Sequence, residues 1–331
     1  MESHVNGERA GPTRAEVALR TAVRLQRRLP TARRVSGAMQ FPLRAPTVPG
    51  GVEPTPKETR LGGAYDTEWA RSPAARLGRL ALLEGAVRPL VWAIADPDRR
   101  GYDRLVGLNG PAIFAANHLS HIDAGLLLTS LPEPWRHRAF AGAAADYFFD
   151  SRVKATLAAL ALNAIPIERT KVTRRSAALA AELIDDGWSM VIFPEGGRSP
   201  DRWGQAFRAG AAFLAVRTGV PVVPVHLEGT GRILPKGTSK LVPGRTRVTF
   251  GTPLQPGPDE DMRDLSVRIE AAVTALADEV AGDWWTARRR AHAGLSPPLS
   301  GPDAGAWRRA WALGDRRSHR RTRREPWPLR D

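Results

Sequence analysis

Short apolar runs at 111–116, 137–142, 164–167, 190–193, 220–227 and 246–250 alternate with stretches of helical period at 122–131, 151–162, 173–187, 207–218 and 261–281. Strand-length runs separated by amphipathic helices are the pattern of an α/β protein. They predict a single mixed, largely parallel sheet flanked by helices. Outside this block the periodicity fades. Residues 1–70 are rich in Pro, Gly and Arg and read as a disordered basic segment, with 15–29 able to form a short basic helix. Residues 282–331 read as an Arg/Trp-rich tail, in which Trp284, Trp285, Trp307, Trp311 and Trp327 alternate with arginines. The expected organisation is one domain over 71–281 with flexible N- and C-terminal tails.

One further helix is expected near 77–95. Leu80, Leu83, Val87, Leu90, Val91 and Ile94 recur at helical spacing and form an apolar stripe. Arg79, Glu84, Arg88 and Pro89 interrupt it, so it lacks the roughly 20 apolar residues of a spanning helix. A helix lying in a membrane surface and a helix packed on the domain both fit the stripe.

The 331 residues carry a formal net charge of +15, and the lysines are Lys57, Lys154, Lys171, Lys236 and Lys240, so arginine supplies most of the positive charge. Part of that excess is the composition expected of a GC-rich genome. The remainder points to an anionic partner: a phospholipid surface, the phosphates of coenzyme A, an acidic carrier protein or a nucleic acid. No stacking motif or recognition helix accompanies the arginines, so no specific nucleic acid is expected. The chain has no cysteine, which removes disulfides and thiolate metal sites and fits a reducing compartment. His, Asp and Glu spacings give no metal-ligand set. The N-terminus lacks a basic-then-apolar secretory layout, and the expected location is the cytoplasm, peripheral on the cytoplasmic face of the membrane.

Two polar blocks interrupt the apolar pattern at strand ends. Asn117-His118-Leu119-Ser120-His121-Ile122-Asp123 follows the run at 111–116, and Phe193-Pro194-Glu195-Gly196-Gly197-Arg198-Ser199 follows the run at 190–193. Five residues along a continuous helix would separate two side chains by roughly 140°. His118 and Asp123 can therefore meet only with His118 before the helix and Asp123 in its first turn. A carboxylate behind an imidazole fixes its tautomer and makes it a general base. With no Cys and no nucleophile elbow, such a base would activate a hydroxyl on a substrate. Ser120-x-x-Asp123 also fits a capping box, in which Asp123 binds a backbone N–H. In the second block Arg198 offers a planar fork for a phosphate or carboxylate. Gly196 and Gly197 let backbone amides approach an anion, and Glu195 can hold the guanidinium or a substrate hydroxyl.

Together these blocks resemble the glycerolipid acyltransferases whose best-known members are 1-acylglycerol-3-phosphate O-acyltransferases. Ile165-Pro166-Ile167-Glu168-Arg169 is similar to that family's second block, and Val220-Pro221-Val222-Val223-Pro224-Val225 to its fourth. The resemblance spans roughly residues 105–276 and implies that 71–281 is a glycerolipid acyltransferase domain. It implies transfer of an acyl group from acyl-CoA or acyl-carrier protein, as co-substrate and without a further cofactor, to the free hydroxyl of a lysophosphatidate-like acceptor. His118 would be the base and Asp123 its orienting partner. Arg169, Glu195 and Arg198 would position the acceptor's glycerol phosphate, with backbone amides near Gly196 and Gly197 facing the oxyanion. Gly197 stands where the family usually carries Thr, and residues 138–149 lack a Lys that many members place there. Glycerol 3-phosphate, another lysophospholipid or a glycolipid is the alternative acceptor. A non-catalytic membrane-binding or nucleic-acid-binding protein is the alternative class.

Overall fold

A computed structural model describes residues 65–167, 174–198, 203–235 and 240–301. The basic segment at 15–29, Arg169, Ser199, Trp307, Trp311 and Trp327 lie outside the described residues.

All six predicted runs form strands, and they build one sheet with a seventh. The strands are β1 (Pro97–Arg100), β2 (Ile113–Ala116), β3 (Ala139–Ala144), β4 (Ile165–Ile167), β5 (Ser189–Ile192), β6 (Val222–Glu228) and β7 (Thr246–Phe250). Their order across the sheet is β1-β7-β6-β2-β5-β3-β4. Every pairing is parallel except β6 with β7. The unpredicted strand, β1, has the sequence Pro-Asp-Arg-Arg and alternates half-buried with exposed positions at the sheet edge. Its pairing comes from the backbone of β7, a signal absent from the apolar pattern. The run expected at 137–142 begins later, because Trp135–Arg138 forms a 3₁₀ turn.

The central strands are covered on both faces, which explains their nearly continuous apolar sequence. Phe114 and Ala116 of β2 pack with Val223 and Val225 of β6 and with Leu126, Leu127 and Leu131. Ile113 and Ala115 face the other way, against Phe140, Met190, Ala212 and Leu265. The helices are α1 (Pro73–Leu82), α2 (Arg88–Ala95), α3 (Asp123–Ser130), α4 (Ala145–Phe148), α5 (Arg152–Leu162), α6 (Arg174–Asp185), α7 (Gly210–Thr218), α8 (Thr230–Ile233), α9 (Met262–Ala281) and α10 (Trp284–His292). The last lies in the segment expected as tail: Ala287 is buried and Arg290 Nη1 reaches Asp278 Oδ1 of α9 at 2.8 Å.

The helix expected near 77–95 starts earlier, at Pro73, where Ser72 Oγ accepts from the Ala75 amide at 3.3 Å. A π-helical turn, Leu83–Val87, separates α1 from α2. Pro89 has no N–H to give to the preceding turn, and its ring crowds the carbonyl four residues back. The wider turn is the local response. The apolar stripe divides here. Leu83 is buried, and Val91 and Ile94 pack on the core. Leu77, Leu80 and Leu90 remain 71%, 47% and 62% exposed.

Candidate active site

β2 and β5 are parallel neighbours, with Ala115 opposite Ile192. Both polar blocks therefore leave the sheet at the same end, where open α/β sheets bind ligands. Asn117 governs the exit from β2. Its side chain mimics a strand partner, donating from Nδ2 to the Leu227 carbonyl at 2.9 Å and accepting at Oδ1 from the Leu227 amide at 2.7 Å. The main chain of His118 is thereby released from the ladder.

His118 and Asp123 meet as their spacing requires. Asp123 opens α3 and is fully buried, and its Oδ2 lies 2.8 Å from His118 Nδ1. The same oxygen accepts the backbone amides of Leu119 at 2.7 Å and Ser120 at 2.8 Å. Both readings of Asp123 thus hold on one atom: it supports the imidazole and it caps the turn. Ser120 supplies no reciprocal cap, because its Oγ donates to the Leu234 carbonyl at 3.0 Å. A carboxylate that already accepts two amides favours the tautomer with the proton on Nδ1. That leaves the Nε2 lone pair for the cleft the ring lines. Phe193 stacks on the imidazole, with ring centroids 4.2 Å apart. His121 lies in the turn before α3 and stacks on Tyr147, with ring centroids 5.2 Å apart.

Glu195 was expected at the site, but its main-chain partners were not. It is buried, with Oε1 accepting the His118 amide at 2.9 Å and Oε2 the Gln205 amide at 3.0 Å. It ties the two blocks together through main chain. Burial pushes its pKa up to about 8; the two amides oppose that shift, and nearby Asp123 and Glu270 add to it. Gly196 has φ +71°, and its amide closes a turn onto the Phe193 carbonyl at 3.0 Å. A side chain there would come within 2.9 Å of the Arg208 guanidinium. Arg208 has no place in the sequence expectation. It shares the cleft with His118, Gly197 and Arg198, while Ala143, Phe148 and Ile167 contribute an apolar wall. A cation after Phe207, just before a helix, was the available signal.

Among the described residues one trio of potential metal ligands converges, Glu84, Glu133 and His137. Arg136 reaches Glu84 at 2.7 Å and Glu133 at 2.5 Å, and Arg88 reaches Glu84 at 2.6 Å. Those carboxylates are already neutralised, so the trio is an ion-pair network, and none of it lines the cleft.

Comparison with known proteins bears on this site. The acyltransferase family model matches residues 98–228. A chloroplastic 1-acyl-sn-glycerol-3-phosphate acyltransferase, BAT2 of Brassica napus, is 32% identical over 167 residues, 50% of this chain and 46% of that protein. The chloroplastic LPAT1 of Arabidopsis thaliana is 31% identical over 157 residues, 46% of this chain and 42% of that protein. The chain thus spans less than half the length of these curated relatives. The crystal structure of the 1-acyl-sn-glycerophosphate acyltransferase PlsC from Thermotoga maritima superposes with a TM-score of 0.52 at 26% identity, over 66% of this chain and 85% of that one. Sheet, paired blocks and relatives agree: residues 98–228 match the acyltransferase family, and the chain is similar in sequence and fold to 1-acyl-sn-glycerol-3-phosphate acyltransferases.

Proposed function

We propose that the protein is an O-acyltransferase of phospholipid synthesis. It moves a fatty acyl group from the thioester of acyl-CoA or acyl-carrier protein to the free hydroxyl of a lysophosphatidate-like acceptor. The observation that carries this reading is the His118–Asp123 pair, at 2.8 Å, opening on a cleft that joins an apolar wall to Arg198 and Arg208. His118 Nε2 takes the acceptor's hydroxyl proton as its oxygen attacks the thioester carbonyl, and Asp123 stabilises the imidazolium. Collapse of the tetrahedral intermediate breaks the C–S bond, and the proton on His118 passes to the departing thiolate. No acyl-enzyme and no cofactor enters this scheme.

The rest of the site fits those roles. Arg198 and Arg208 supply the charge for the acceptor's phosphate, with Arg169 as a further contact. The Gly196 amide is committed to Phe193, so the Gly197 amide takes the oxyanion. Glu195 acts by bracing, since both its oxygens hold main chain. Attachment to the cytoplasmic face of an anionic membrane draws on the exposed Leu77, Leu80 and Leu90 and the net charge of +15. No helix among the described residues is long and apolar enough to cross a membrane.

The test is to incubate purified protein with labelled acyl-CoA and acyl-carrier protein against a panel of lysophospholipids and glycerol 3-phosphate. Phosphatidate should form, and His118→Ala should lower its rate by about 10²–10⁴-fold, the usual scale of general-base loss, with an unchanged melting temperature. Full activity in His118→Ala would end the proposal.

A further inference from the structure

We infer that the segment after α10 is a working part of the active site: a C-terminal turn at Pro298 to Gly301 clamps the loop that fixes Glu195, and through it the main chain of His118. This segment lies beyond the residues 98–228 matched by the family model.

The contacts run in an unbroken series. Asp278 anchors α10 on α9 through Arg290 at 2.8 Å. The chain then leaves the helix and folds into a turn closed by the Gly301 amide on the Pro298 carbonyl at 2.9 Å. Within that turn the Leu299 carbonyl accepts the Gly204 amide at 2.8 Å. Gly301 packs so closely that a Cβ there would lie 2.5 Å from the Trp203 indole. The next residue is Gln205, whose amide holds Glu195 Oε2 at 3.0 Å and whose Nε2 donates to the Gly197 carbonyl at 3.1 Å. Glu195 Oε1 in turn holds the His118 amide. Two residues further on, the Phe207 amide donates to Glu270 Oε2 of α9 at 3.0 Å.

Gly204 and Phe207 therefore rest on C-terminal elements, and Gln205 between them rests on Glu195. This placement has a physical purpose. Glu195 is buried, and a buried carboxyl is tolerated only when its oxygens are satisfied. One of its two donors sits on a loop without regular secondary structure, so the position of that amide depends on what holds the loop. The clamp is a positioning device: it reaches Glu195 through the loop that carries the Gln205 amide.

Gly301 and Gly294 allow a controlled test in the full-length protein. Both have positive φ, +80° and +70°, so an alanine is strained at either. Only at Gly301 would the new methyl meet the indole; at Gly294 nothing lies within 4 Å. Amide hydrogen exchange by mass spectrometry, which needs no activity, reads the clamp directly. Gly301→Ala should speed exchange in peptides covering 203–208 and 117–123 and leave β7 unchanged, whereas Gly294→Ala should leave all three as in the parent. In the Trp203→Leu background, which removes the ring, Gly301→Ala should add nothing. The turnover arm rests on the acyltransferase reading. There Gly301→Ala should lower kcat about 10-fold with little change in acceptor KM, the expectation for a misplaced base. Equal exchange in the two alanine variants, or a Gly301→Ala effect undiminished by Trp203→Leu, would overturn the clamp. Faster exchange with unchanged kcat would overturn its catalytic role. A protein with no acyl transfer to any acceptor would sink the reading of the site while the exchange experiment still judged the clamp.

Discussion

The two loops that meet at the sheet's end are held in opposite ways. The His118 loop is secured from within and next door: Asp123 gathers one ring nitrogen and two amides within five residues, and Asn117 pins its start to β6. The Glu195 loop is secured from far along the chain, by Glu270 on α9 and by Leu299 beyond α10. A loop that brings its own braces can be read from a short motif. One that borrows them cannot, because its partners, a side-chain carboxylate on α9 and a backbone carbonyl beyond α10, lie at distant positions that no local spacing marks.

Breaking the self-contained loop should have the largest effect. Asp123→Asn keeps an oxygen for the amides but removes the charge behind the imidazole, so activity should fall by about 10²–10⁴-fold, with a melting temperature close to the parent's. Activity within threefold of the parent would show that His118 works without its carboxylate.

The next contrast is between His118 and Arg198 on the borrowed loop. Losing a charge-assisted contact of about 1.5–3 kcal/mol should make Arg198→Ala raise the acceptor KM by roughly 10- to 100-fold. Arg198→Lys should restore part of that, because charge survives without the fork. Saturation curves matching the parent in both variants would remove Arg198 from the site.

A subtler break uses pH. Glu195 is shifted from the usual carboxyl range to about 8, so the fold favours its protonated form. That contribution to stability is complete below the ordinary carboxyl value and is lost as pH rises through about 8. The parent's melting temperature, measured relative to Glu195→Gln, should therefore decline across that window. Parallel melting curves for the two proteins would show that Glu195 does not bury a titrating charge.

The smallest change should leave both loops alone. Glu in place of Leu77, Leu80 and Leu90 should abolish the salt-resistant part of binding to anionic vesicles, with thermal stability retained because all three side chains are exposed. Leu83 is unsuitable for this test, since it is buried. Sedimentation of the triple variant at parent levels in high salt would reject the apolar face as the contact.

Sequence reasoning reached furthest where the relevant partners were near or periodic. The six buried strands announced themselves because both faces of the sheet are covered. β1 did not, because an edge strand of Asp and Arg has no apolar signal. The spacing of His118 and Asp123 left two readings open, a partner for the imidazole and a cap for the turn, and both hold on Asp123 Oδ2. For Glu195 the sequence suggested a guanidinium or hydroxyl partner, whereas its two oxygens accept main-chain amides, from His118 and Gln205. The apolar stripe near 77–95 was visible, but which leucines face the core depended on the π turn before Pro89.

Asn117 carries a consequence for the protein's chemical lifetime. Asparagine is among the thermolabile side chains. Hydrolysis of this amide would replace the Nδ2 donor facing the Leu227 carbonyl with a carboxylate oxygen, turning an attraction into a repulsion in a buried site. Ageing at a single side chain, with hardly any change in mass, would loosen the exit of β2 and with it the main chain that carries His118. Slow loss of activity on storage should then follow the rate of this one conversion.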